Sequence, residues 1–128
     1  MADMRALGQT EFGEIEVIKE MKLPVPEATG ADLRVRVHAV GINPVDVKAR
    51  QDWNGFGSMQ GGMPAVLGWD ASGVVDAVGP QADGRFKVGD AVYFSGSISR
   101  PGAQREYTVV DSRIVGRSEE RRVGKECW

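Results

Sequence analysis

Apolar and polar residues alternate from Asp32 to Ile42: Leu33, Val35, Val37 and Ala39 fall on one side, Asp32, Arg34, Arg36 and His38 on the other. A period of two is the signature of a half-buried strand, and this is the clearest one in the chain. Phe12 to Ile18 alternates in the same way, with Ile15 and Val17 opposite Glu14 and Glu16, and predicts a second strand. Val66 to Val78 is more continuously apolar and predicts a buried strand. Gly68 and Gly73 interrupt it, and glycine inside a strand marks a bulge or a close backbone approach. Phe86 to Phe94 reads as a tight turn followed by a strand. Gln104 to Val110 reads as a further strand, with Tyr107 and Val109 on one face, and Asp111 to Val115 as the start of a return. Leu23-Pro24-Val25-Pro26 predicts an extended connector, because proline has no N–H for a central ladder. Pro44 to Arg50 predicts one short helix: Asn43 suits the N-cap, Pro44 the first helical position, and Asp46 the positive end of the dipole. Five or six short strands punctuated by turns imply a mainly β fold, a small barrel or a sandwich.

Composition narrows the class only modestly. The 128 residues are enough for one domain with a real core, and 41% hydrophobic with 27% charged residues is ordinary for a globular protein. Seventeen glycines and six prolines favour turn-rich β structure over a helical bundle. A formal net charge of −2 gives no electrostatic case for nucleic acid or an anionic membrane as partner. No apolar run approaches the ~20 residues of a membrane span. Met1 to Ala6 lacks the basic and apolar stretches of a secretory signal, so the expected location is cytoplasmic.

The last twelve residues stand apart. From Arg117 to Trp128 the chain reads Arg-Ser-Glu-Glu-Arg-Arg-Val-Gly-Lys-Glu-Cys-Trp, with seven of twelve residues charged. This string is similar to the translation of a sequencing-library adapter. Residues 117–128 are therefore read as a non-native tail and 1–116 as the domain; the alternative is a natural solvated tail. The single cysteine, Cys127, lies in this tail, which leaves residues 1–116 without disulfides or cysteine-ligated zinc.

Two segments concentrate the candidate chemistry. Gly41-Ile42-Asn43-Pro44-Val45-Asp46 and Leu67-Gly68-Trp69-Asp70-Ala71-Ser72-Gly73-Val74-Val75 each leave an apolar run, break regularity at Gly or Pro, and present polar side chains. Loops held by rigid strands are where binding and catalytic groups usually sit. Between them, Gln51 to Gly62 holds four glycines with Trp53 and Phe56. Those aromatics either line a substrate entrance or pack over the barrel mouth. His38, the only histidine, lies on the polar face of its strand and reads as a solvated side chain. No internal repeat is present.

These segments, with Tyr93-Phe94-Ser95-Gly96-Ser97-Ile98-Ser99-Arg100-Pro101-Gly102 and Val110-Asp111-Ser112-Arg113-Ile114-Val115-Gly116, resemble the medium-chain dehydrogenase/reductase superfamily. The similarity is to its quinone-oxidoreductase-like branch and to the zinc-type alcohol dehydrogenase-like group, over residues 5–116. It implies a GroES-like, partly open β barrel with one or two short helices, the catalytic domain of a two-domain enzyme. The second domain of that family, a Rossmann fold with a glycine-rich turn on a helix N-terminus, has no counterpart in the sequence. Gly55-Phe56-Gly57 lacks both the third glycine and a surrounding βαβ pattern.

The resemblance implies an NADPH-dependent oxidoreductase that reduces a small-molecule quinone, activated alkene or carbonyl, and that forms a homo-oligomer, a dimer. The isolated fragment is expected to be inactive. Zinc-dependent members carry a cysteine in Gly-x-Cys-x-x-Asp, where this chain has Asn43, and a histidine in Gly-His-Glu, where it has Trp69. No metal site is therefore predicted. Asn43 is implied near nicotinamide and substrate, where its amide would polarise a carbonyl; the helix cap is its other reading. Asp46 takes the motif's acidic position, either orienting neighbours or serving the helix dipole. Lys48 would contact the cofactor or stand as a surface charge. Trp53, Trp69 and Asp70 are the expected substrate-pocket residues. A stand-alone GroES-like binding module is the alternative function, and a zinc-dependent alcohol dehydrogenase a third.

Overall fold

The computed structural model describes residues 3–11, 13–43, 46, 50, 64–97 and 100–118. Seven strands are present among them: β1 (Asp3–Gly8), β2 (Lys19–Pro24), β3 (Asp32–Gly41), β4 (Asp70–Val78), β5 (Ala91–Ser95), β6 (Tyr107–Asp111) and β7 (Val115–Arg117). Two 3₁₀ turns, Ile15–Val17 and Ser112–Ile114, also lie among the described residues. The mainly β expectation holds, with more strands than the spacing predicts. Among the described residues no helix is long and apolar enough to cross a membrane.

The strands form a five-stranded antiparallel sheet in the order β6-β3-β4-β5-β7 and a two-stranded ribbon of β1 and β2. Residues 104–106, just ahead of β6, join the two. Leu7 N–H donates to Gln104 O at 2.8 Å, Glu106 N–H to Arg5 O at 3.1 Å, and Val37 N–H to Glu106 O at 2.9 Å. The ribbon thus continues the sheet around its side, which is how a barrel closes partway. Inside lies one core of Leu33, Val35, Val75, Phe86, Val92, Phe94, Val110 and Val115 with smaller neighbours.

Alternation along β3 is obeyed only up to Val37. Register against β4 shifts between Val37, which faces Gly73, and Ala39, which faces Ser72, so His38 is the extra residue of a bulge. The bulge moves the next apolar side chain by one position: Val40, not Ala39, packs on the core, and Ala39 is exposed. Gly73 sits opposite. A Cβ there would lie 2.2 Å from Arg36 O, so the strands approach too closely for any side chain. The sequence-based reading of Gly73 as a close approach is correct.

The predicted strand over 12–18 is not formed. Residues 15–17 make a 3₁₀ turn with Ile15 exposed, and the strand pairing with β1 begins only at Lys19. Alternation without a neighbouring edge to pair with does not make a strand. The connector reading of residues 23–26 holds in part, because Leu23 and Pro24 close β2 against Met4 and Asp3 before the chain leaves the ribbon. Proline fits there because it ends the strand. The boundary drawn at Gly116 falls inside β7, where Arg117 pairs with Val92 and Ser118 N–H donates to Ala91 O at 2.8 Å. Residues 119–128 lie outside the described residues.

Candidate functional site

The two loop segments singled out in the sequence meet at the end of the β3–β4 pair. Gly41 faces Asp70 across the ladder, which places Asn43 and Asp70 side by side. Asn43 Nδ2 donates to Asp70 Oδ2 at 2.7 Å. The other carboxylate oxygen, Oδ1, accepts from the hydroxyl of Ser95 at the end of β5. A carboxylate that only accepts requires the NH2 side of the amide, so this bond also fixes which way the Asn43 amide is turned.

Asp46 holds the segments together from beneath. It is buried at 5% exposure; one oxygen accepts Asn43 N–H at 2.8 Å and the other accepts Gly68 N–H at 3.1 Å. Its own N–H donates to Asn43 O at 2.9 Å. This is one half of a capping box, with the N3 side chain reaching back to the N-cap N–H. The other half, an Asn43 side chain bonded into the turn, is replaced by the bond to Asp70. Asp46 and Arg50 have helical backbone, and the rest of the predicted helix over 44–50 lies outside the described residues. Gly68 has φ +89°, a left-handed conformation natural to glycine, which turns its N–H towards Asp46.

Trp69 points away from Asp70 into the protein. It is buried, packs with Leu67 and Ile18, and donates its indole N–H to Arg100 O at 2.9 Å. Asp32 fixes the same arginine through paired bonds of 2.9 and 3.3 Å. A cavity of about 240 Å³ lies beside the indole, between Phe94, Gly102 and Val110. A larger one of about 570 Å³ opens on the other side, with Asp70 and Ser95 at its rim and Val40, Ala71, Tyr93 and Phe94 as walls. Asn43, Asp46 and Asp70 are thus brought together, while the Trp69 side chain lines the smaller cavity instead. Lys48 and Trp53 lie outside the described residues. Ser95 was missed: its only signal is a hydroxyl at a strand end before Gly96, a pattern shared by many turns.

Hydrogen bonds from Arg113 hold the Asp111 carboxyl well below the usual carboxylate range. Burial, with a smaller push from the charge of Arg100, brings the Arg105 guanidinium down to about 10. It donates to neutral groups, Gly102 O at 3.0 Å and Thr108 Oγ1 at 3.2 Å.

Residues 29–120 match the family described as the alcohol dehydrogenase GroES-like domain. A zinc-type alcohol dehydrogenase-like protein of Staphylococcus epidermidis is 31% identical over 118 residues, 90% of this chain and 33% of its own length. Human quinone oxidoreductase is 36% identical over 115 residues, 88% of this chain and 32% of its own length. The structure of mycobacterial Rv1454c complexed with NADPH superposes with a TM-score of 0.75 at 26% identity, over 92% of this chain and 33% of that one. The chain spans about a third of the length of the curated relatives it matches.

The donor set here does not fit the zinc in the first relative's name. Asn43 presents an amide N–H to Asp70 and Trp69 an indole N–H to Arg100, and neither is a zinc ligand. Among the described residues no three of His, Cys, Asp and Glu converge as a metal site.

Proposed function

Because the chain belongs to the alcohol dehydrogenase GroES-like domain family, we propose that it forms the substrate side of a zinc-independent, NADPH-dependent oxidoreductase acting on a quinone, an activated alkene or a carbonyl. The main support is the Asn43–Asp70 hydrogen bond at the rim of an apolar cavity. It joins two loops at one point and holds the Asn43 amide against Asp70, whose cavity gives a ring-sized substrate apolar walls to lie against.

The nicotinamide, when bound, supplies the hydride. Among the described residues no glycine-rich turn opens a helix that would seat its pyrophosphate, so the fit is to the reacting end only. Asp46 fixes the backbone of Asn43, and Asp70 with Ser95 fixes its amide. The second Nδ2 hydrogen of Asn43 then orients the substrate oxygen without reorganisation at the moment of reaction. Asn43 acts more by orientation than by charge, because a carboxylate 2.7 Å behind the donor opposes negative charge building up in front of it.

The test is to express the gene with the reading frame that encodes the remainder of the relatives' length and to follow NADPH oxidation with a quinone, an enone and an aldehyde. Turnover of at least one, with the zinc content of the protein well below stoichiometric, is expected. The 128-residue chain alone should turn over little or nothing, since it does not position the nicotinamide. A full-length protein that binds NADPH yet oxidises it with none of the three, or that needs stoichiometric zinc, overturns the reading.

A further inference from the structure

The 570 Å³ cavity has a charge at one place only on its described lining. Ala39, Val40, Ala71, Tyr93, Phe94 and Ile114 supply apolar surface, and Asp70 is the one ionisable carboxylate or base among the described lining residues apart from the Tyr93 phenol. Tyr93 and Ile114 are themselves half exposed, so this apolar surface reaches solvent. No described Lys, Arg or His forms an ion pair with Asp70, in contrast to Asp32, Asp76, Asp83, Asp90 and Asp111, each of which has an arginine. Its two partners, Ser95 and Asn43, are neutral donors. They hold the carboxylate in place without cancelling its charge.

We propose that Asp70, held by Ser95 and Asn43 at the rim of this cavity, is a specificity-determining residue that admits neutral and cationic ring-sized molecules and turns away anionic ones. An uncompensated carboxylate beside low-dielectric walls is felt at short range by any charge entering the cavity. Neutral rings gain the apolar contact and meet no opposing charge. Cationic rings gain both the carboxylate and the exposed Tyr93 ring. Anionic rings gain the same apolar contact but are repelled. Ser95 is a positioning residue here: without its hydroxyl, one oxygen of Asp70 loses its anchor and the carboxylate turns towards water. The inference rests on the substrate-side reading for which molecules reach the cavity; charge selection itself needs no turnover.

Three probes with one ring and different charge test it on the 128-residue chain: 1-naphthylmethanol, 1-naphthylmethylammonium and 1-naphthoate. Binding is followed by NMR through the backbone amides of Ala71, Tyr93 and Ser95. The alcohol and the ammonium are expected to bind there, with the carboxylate about tenfold weaker than the alcohol, the scale of one partly solvated charge pair. Asp70→Asn should bring the three within about twofold of each other, Ser95→Ala should narrow the gap, and Ser95→Thr should restore it. Raising the salt should narrow the gap in the unsubstituted chain as well, which keeps the test open if a variant fails to fold. Equal affinities, a gap that Asp70→Asn leaves intact, or no binding by any probe overturns the proposal. A failed NADPH assay on the full-length protein would leave these affinities unchanged, so the two failures are distinguishable.

Discussion

At the scale of single residues, Asp46 does the most for the site without touching a substrate. Its two oxygens receive the N–H groups of Asn43 and Gly68, and it is almost completely buried. Asp46→Asn would turn an amide N–H against one of those donors and leave it unsatisfied. A loss of about 2–4 kcal/mol in urea unfolding is expected, together with weakened NMR signals from the Asn43–Asp70 pair. Spacing alone favoured a dipole role for Asp46 over an orienting one; its bond to Gly68, 22 positions on, is invisible from sequence. For Asn43 the expected loss is of a different kind, read on the full-length oxidoreductase proposed above. Asn43→Ala should lower kcat/KM about 10- to 100-fold with little change in folding, because the side chain is only half-buried and its removal leaves Asp70 its bond to Ser95. Asp111 sets a pH dependence. Its folded pKa lies below the ordinary 3.8, so its pairing with Arg113 stabilises the fold fully above that value and is lost as pH falls through the depressed one. Acid unfolding of Asp111→Asn should therefore show a smaller loss of stability between about pH 4 and the acid limit than the unsubstituted chain does.

At the scale of elements, the strands that were legible are those whose side chains repeat their own environment. β3 buries Leu33 and Val35 before its bulge, β5 buries Val92 and Phe94, and β6 buries Thr108 and Val110, each at alternate positions. β1 also buries every second residue, but these are Met4, Ala6 and Gly8, two of which are too small to announce a strand. β2 buries none of its residues fully and exists through its ladder with β1. The bulge at His38 was not legible either, since it depends on how closely Gly73 lets the backbones approach. Gly73→Ala tests that approach: a Cβ 2.2 Å from Arg36 O must push β3 and β4 apart, at an expected cost of about 1–3 kcal/mol or more by thermal unfolding. Amide exchange along the β3–β4 ladder should rise most around residues 36–41 and 70–74, and the Asn43–Asp70 contact should loosen with it.

At the scale of the whole molecule, the sheet closes through its last strand. Arg117 pairs with Val92, its guanidinium lies 3.4 Å from Asp90 and over the Phe86 ring, and Ser118 bonds to Ala91 O. Ending the chain at Gly116 should cost about 1–2 kcal/mol relative to ending it at Ser118, read as a difference in thermal unfolding. The sheet uses whatever side chain and backbone donor stand at 117 and 118.

What the sequence determined by itself is the kind of fold and the position of the candidate chemistry along the chain. Alternating valines dictate strands because a pleated backbone places every second side chain on the same face. Glycine at 68 and 73 dictates special backbone because no other residue tolerates that φ or that proximity. Asn43 and Trp69, standing where the resemblance implies that zinc-dependent members carry cysteine and histidine, led to the expectation of no metal site. What only the tertiary structure decided is which of these residues meet. Antiparallel pairing of β3 with β4 brings Gly41 opposite Asp70, and pairing of β4 with β5 brings Asp70 opposite Ser95. Register is set by bulges and by the fit of the core, both non-local. The Asn43–Asp70–Ser95 contact, the burial of Asp46 and the apolar cavity beside them are consequences of that register, and no single segment of sequence contains them.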